Sequence, residues 1–177
     1  MNFKVVHDAL TRLNGNDREI EWKIIGTMNP ESNPHHTNLL QDLDSSWVEF
    51  TGRVNDLNDS GFHRQLAKMT AMLLPFHNIT GSNGTAPSRS SLQLAWAFGL
   101  PVVTSKPINE EPALLNEENC LLVDEEDSTA WATAIERILN DKQLRETLRK
   151  GSLATAQRFG WARLAEEHVK LYEGISS

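Results

Sequence analysis

The stretch Pro75–Val103, PFHNITGSNGTAPSRSSLQLAWAFGLPVV, decides how the rest of the chain is read. A short apolar run, Ala71 to Pro75 (AMLLP), leads into it. A polar, glycine-containing loop follows, from His77 to Pro87. The segment Ser88 to Phe98 then reads as a helix closed by Gly99, the residue that most easily takes the left-handed turn ending a helix. Val102 to Thr104 resumes as a β-branched run. Strand, loop, helix and strand in this order make a parallel crossover unit.

Working outward, the same alternation recurs. Trp22 to Gly26 (WKIIG), Val48 to Gly52 (VEFTG) and Leu121 to Val123 read as further strands, short and apolar as buried parallel strands are. Val5, Val6, Ala9, Leu10 and Leu13 line one face of an opening helix that Asn14-Gly15 stops. His36 to Leu43 and Leu57 to Met69 are read as helices, the second weakened by Gly61. Past Val123 the pattern is helical only. Asp127 or Ser128 caps a helix with Trp131, Ala134, Ile135 and Ile138 on one face, and Asp141 caps the next, with Leu144 and Leu148. The last helix spaces Trp161, Leu164, Ala165, His168, Leu171, Tyr172 and Ile175 as one apolar stripe, with His168 expected as a packed core histidine. The expected fold class is α/β: a Rossmann-like, doubly wound parallel sheet with helices on both faces and a helical C-terminal segment, in a single domain spanning residues 1–177.

Composition narrows the function classes. The 177 residues suit one domain with a real core. A formal charge of −7 argues against a nucleic-acid backbone as partner, so any anionic ligand must be held by local amides and a few fixed cations. The one cysteine, Cys120, allows no disulfide framework or cysteine-based zinc site. With no leader-like segment and no apolar run long enough to span a bilayer, a cytoplasmic location is expected. The Asn58, Asn78 and Asn83 triplets read as chance in an asparagine-rich chain.

The candidate chemistry lies where the first strand quoted ends. Open α/β sheets bind ligands outside the carboxyl ends of their strands. A helix N-terminus presents unpaired N–H groups and a partial positive charge. Here that terminus carries Ser88, Arg89, Ser90 and Ser91, a donor set suited to a phosphate or diphosphate. From the residues alone a capped helix on a surface loop stands equally open. Glu110-Glu111 form a carboxylate pair of the kind used in acid–base work. Asp124-Glu125-Glu126-Asp127 stands just before a helix, where acids complement the dipole, and is read as a cap, not a metal site. His35-His36 have no partners at ligand spacing.

The run Gly84-Thr-Ala-Pro-Ser-Arg-Ser-Ser-Leu92, with Ala97-Phe-Gly-Leu-Pro-Val-Val-Thr104, resembles the donor-site loop and helix of glycosyltransferase group 1 enzymes of GT-B fold. The strands at Trp22 and Val48, Asn119-Cys-Leu-Leu-Val123 and the closing Phe159-Gly-Trp161 helix fall in the family's order. The resemblance implies the C-terminal half of such an enzyme, which takes a nucleoside-diphosphate sugar. In it, Gly84, Thr85, Ala86, Pro87, Ser88, Arg89, Ser90 and Ser91 would border the diphosphate, Glu110 or Glu111 would lie near the donor, and no metal or other cofactor would be needed. Two departures stand out. The family's paired glutamates fall at Ala86 and Leu94, so sugar recognition is expected to be altered or lost, as in a subset with Gly-x-Ser/Ala-Pro-x-Arg-x-Ser-Leu. The family's first strand, with its Gly-Arg and following lysine, has no counterpart after Met1, nor has the acceptor domain. In a strand order 3-2-1-4-5-6 that first strand is central. Its absence is expected to leave a gap or an exposed edge, and such an edge invites homo-oligomers. Two functions follow as expectations: the donor half of a sugar transferase, inactive alone, or a non-catalytic binding or interaction module on the same fold.

Overall fold

A computed structural model describes residues 2–15, 19–25, 43, 46–52, 54, 56, 59–76, 89–106 and 113–175. Within them the elements run α1 (Phe3–Asn14), β1 (Trp22–Ile25), β2 (Val48–Gly52), α2 (Ser60–Leu66), β3 (Met72–Leu74), α3 (Arg89–Ala97), β4 (Val102–Ser105), β5 (Leu121–Val123), α4 (Ser128–Asn140), α5 (Lys142–Arg158) and α6 (Trp161–Ile175). Every strand pairing is parallel: Trp22 lies opposite Val48, Met72 opposite Val102 and Val103 opposite Leu121. The strands fall into two sheets, ordered β1-β2 and β3-β4-β5, so the described residues place no strand between β1 and β3. The expected helix at 36–43 lies outside the described residues except Leu43.

Side-chain alternation builds a core on each side. Val103, Leu121 and Val123 join Trp22 and Ile24 against α1 (Val6, Leu10) and α4 (Trp131, Ile135). Val102 and Cys120 face the other way, with Leu74, against Phe62 and Leu66 of α2 and Leu92 and Trp96 of α3. β4, flanked on both edges, has all its residues buried. Helices cover both faces, which fits the near-continuous apolar sequence of these strands.

Local chemistry sets the helix limits. Asn2 Oδ1 accepts from the Val5 amide, Asp59 from Phe62, Asp127 from Thr129 and Ala130, and Asp141 from Leu144, each an N-cap. Asp124 Oδ1 accepts from the Glu126 amide, so the acidic run is a capped turn. Among the described residues no cluster of three or more His, Cys, Asp or Glu is placed to hold a metal ion. α3 ends in a Schellman turn: Gly99 has φ +61 and the Leu100 amide reaches back to the Ala95 carbonyl.

One expectation fails at the C-terminus. α6 forms over the expected residues, but the described part of its stripe, Ala165, His168, Leu171 and Tyr172, is exposed. Val169, Leu171 and Tyr172 are 54%, 59% and 64% exposed, and His168 is exposed as well. The reason is architectural: α1, α4, α2 and α3 already cover the two faces of the sheet, and α5 lies against α3. No sheet face remains for α6.

Candidate functional site

The carboxyl ends of β3, β4 and β5 lie side by side, because the three strands are parallel and in register. α3 connects β3 to β4, so its first turn opens at that edge and its last turn returns to the opposite end. Leu92, Ala95 and Trp96 seat it on Leu74, Phe76, Leu100, Val102 and Cys120. The helix axis is therefore fixed by apolar packing, and its partial positive charge points at the edge where the chain leaves β3.

Of the sequence candidates, Arg89 is the first residue of α3, Ser90 is exposed and Ser91 is half-buried, both in its first turn. Gly84, Thr85, Ala86, Pro87 and Ser88 lie outside the described residues, as do Glu110 and Glu111. Leu94, where the resemblance led a glutamate to be expected, is partly buried and packs against the α2–α3 core.

The structure adds polar groups at the same edge. Asn2 spans it: its amide donates to the Pro75 carbonyl at 2.7 Å and its Nδ2 to the Glu125 carbonyl at 3.2 Å. Thr104 Oγ1 donates to the Leu74 carbonyl at 3.0 Å. Ser105, at the end of β4 and 2% exposed, has a buried hydroxyl with no hydrogen-bond partner. The apolar run Val102–Thr104 drew attention to packing, and only its position at the end of a strand marks Ser105. Cys120 is no nucleophile: burial pushes its thiol up to about 12, far from the thiolate that attack requires.

Comparison with known proteins identifies the arrangement. The family model for glycosyl transferases group 1 matches residues 1–141. The D-inositol 3-phosphate glycosyltransferase of Jonesia denitrificans is 34% identical over 79 residues, which cover 45% of this chain and 19% of that protein. Among solved structures, Anabaena HepE in complex with UDP and glucose superposes with a TM-score of 0.71 at 19% identity, covering 98% of this chain and 44% of HepE. The C-terminal domain of a group 1 family protein (LpcC) from Francisella tularensis gives 0.66 at 17% identity, covering 89% of this chain and 78% of that domain. The chain thus spans less than half of the full-length relatives it matches, with the fold of a GT-B C-terminal domain. It belongs to the glycosyl transferases group 1 family.

Proposed function

We propose that this chain is the nucleotide-sugar-binding half of a hexosyltransferase, and that it works with an N-terminal acceptor domain. The observation that carries the reading is the N-terminus of α3 at the carboxyl edge of β3 and β4, with Arg89, Ser90 and Ser91 in its first turn. Amides from Gly84 to Arg89, except that of Pro87, stabilise the departing nucleoside diphosphate together with the helix dipole and the Arg89 guanidinium. This is preorganised electrostatic catalysis and calls for no metal. The acceptor and any general base come from the other domain, so the isolated chain turns over no donor. HepE, solved with UDP and glucose, supports a uridine nucleotide as the first ligand to try. A lone buried cysteine fits a reducing, cytoplasmic setting.

Titration with UDP-, GDP- and ADP-sugars should raise the melting midpoint for one base, since a ligand of the native state stabilises it. Calorimetry on Arg89→Ala should then show binding weakened about tenfold or more, as expected for a charged hydrogen bond of about 1.5–3 kcal/mol. Equal affinity would remove Arg89 from the site, and unchanged binding in EDTA would support the metal-free reading. A second reading, a non-catalytic interaction module, is favoured by Leu94 lying in apolar packing where the family has a glutamate. No midpoint shift with any of the three sugars would select it.

A further inference from the structure

Residues around the amino ends of β3 and β4 enclose a cavity of about 360 Å³, at the end of the sheet opposite the first turn of α3. Met69 and Thr70 lead into β3, and Leu100 and Pro101 lead into β4, so the parallel pairing of Met72 with Val102 brings the four together. α2 and α3 both end here, and Ala67 and Phe98 border the space. Met69, Phe98, Leu100 and Pro101 give it apolar walls, and the Phe98 ring stands edge-on to His63 with centroids 5.1 Å apart. A volume of this order suits a small molecule.

α5 supplies the charge. It carries Lys142, Arg145, Arg149, Lys150 and Arg158 against Glu146 alone, in a chain of formal charge −7. Arg145, Glu146 and Arg149 border the cavity. Arg145 and Arg149 are four apart on the helix, so their Cβ atoms lie about 5–6 Å from each other. Arg145 is fixed in place: its Nη1 donates to the Ile138 and Leu139 carbonyls at 2.5 and 2.8 Å, capping α4. The Arg149 stem lies against the turn after α3, where a Cβ added to Gly99 would come within 3.4 Å of Arg149 Cγ. Its guanidinium has no hydrogen bond or ion pair among the described residues. Neither has the Glu146 carboxylate, although opposite charges three apart on a helix are spaced to meet.

We propose that this cavity binds a small monocarboxylate with an apolar body. The carboxylate meets the Arg149 guanidinium through two parallel hydrogen bonds, the geometry that a guanidinium offers a carboxylate. The body lies on Met69, Phe98, Leu100 and Pro101. Charge decides the class. The guanidinium groups of Arg145 and Arg149, less the carboxylate of Glu146, leave a single positive charge at the rim, which a single negative charge balances. A phosphate monoester carries about −1.5 to −2 at neutral pH, so it is repelled more strongly by Glu146 and by the carbonyl ends of α2 and α3. The proposal does not rest on the donor-site reading, since the two sites occupy opposite ends of β3 and β4.

The probe is benzoate, added to the full chain and followed by amide and arginine Nε resonances, with benzyl alcohol and phenyl phosphate as comparison ligands. Benzoate should shift the Arg149 Nε–H and the amides of Thr70, Phe98 and Gly99 saturably, and leave Arg89, Ser90 and Ser91 in place. Benzyl alcohol, which lacks the charge, and phenyl phosphate, which has too much, should both bind more weakly. Arg149→Gln should weaken benzoate binding about tenfold. Lys142→Gln, which removes a charge of the same helix that does not border the cavity, should leave it unchanged. The amide spectrum of each variant reports its fold, and the wild-type shifts test the site should Arg149→Gln not fold. Four results overturn the proposal: no saturable shift with benzoate; shifts centred on the first turn of α3; equal weakening by the two variants, so that net charge alone attracts the ligand; or either comparison ligand binding as tightly as benzoate.

Discussion

Asn119 joins three segments from one buried position. It is 1% exposed, and its Nδ2 donates to the Ala113 carbonyl at 2.7 Å and to Thr155 Oγ1 at 2.8 Å, while Oδ1 accepts from the Leu115 amide at 2.9 Å. Asn119→Ala should lower unfolding free energy by about 3 kcal/mol in urea titrations, because it strands buried donors and acceptors. A surface pair nearby behaves differently. Glu117, at φ +67, meets both Arg137 guanidinium nitrogens at 2.8 Å, and that hydrogen bonding holds its carboxyl below the usual 4.5. Its stabilisation is present above pH 4.5 and is lost as pH falls through the lowered value. The pair is about half exposed, so the contribution should be only about 0.5 kcal/mol. Carbon-13 titration should show Glu117 ionising below its ordinary range and returning to it in Arg137→Ala.

At the element scale, α5 is held against the β5 entry by closeness of backbone. A Cβ on Gly151 would fall 2.0 Å from the Glu118 carbonyl oxygen. Ser152, next in the helix, donates to the Leu100 carbonyl at 3.0 Å, tying α5 to the turn after α3. Because the obstacle is backbone, Gly151→Ala must push the helix away, and denaturation should show a loss of about 3 kcal/mol. A shift within error would mean that α5 rides higher on the sheet. Nothing in the periodicity of α5 marks this glycine: in sequence it is only a weak helix former, and the close approach comes from a segment distant along the chain.

For the whole molecule, the described residues leave two places open: no strand pairs between β1 and β3, and Val169, Leu171 and Tyr172 of α6 are exposed. The causes differ: the helices packed on the sheets leave α6 outside both cores, and no described strand pairs between β1 and β3. Leu171→Glu should therefore change stability by no more than about 0.5 kcal/mol in the isolated chain, its side chain being 59% exposed. A larger loss of melting midpoint would show that the stripe packs on something. The sheet edge where α3 opens is also a whole-molecule property, since it requires β3, β4 and β5 to end together.

Much of the fold was legible in the residues. The opening helix buries the stripe Val5, Val6, Ala9, Leu10 and Leu13 read from spacing; β2 and β5 have the expected limits; and Asp127, Asp141 and Gly99 cap or close helices as their chemistry requires. These features depend on neighbours a few residues apart, and the sequence states such distances directly. The family likeness rested on ordered motifs of the same kind, and the fold and family match agree with it. What lay beyond reach depends on contacts between distant segments. Periodicity reports that the α6 stripe is apolar but not whether a surface remains to bury it. The Ser105 hydroxyl, the span of Asn2 across the strand ends and the Gly151–Glu118 approach all require the chain to be folded first. Local pattern determined the elements and their caps; tertiary structure decided which faces are covered, because burial is settled by the competition of all elements for the two faces of one sheet.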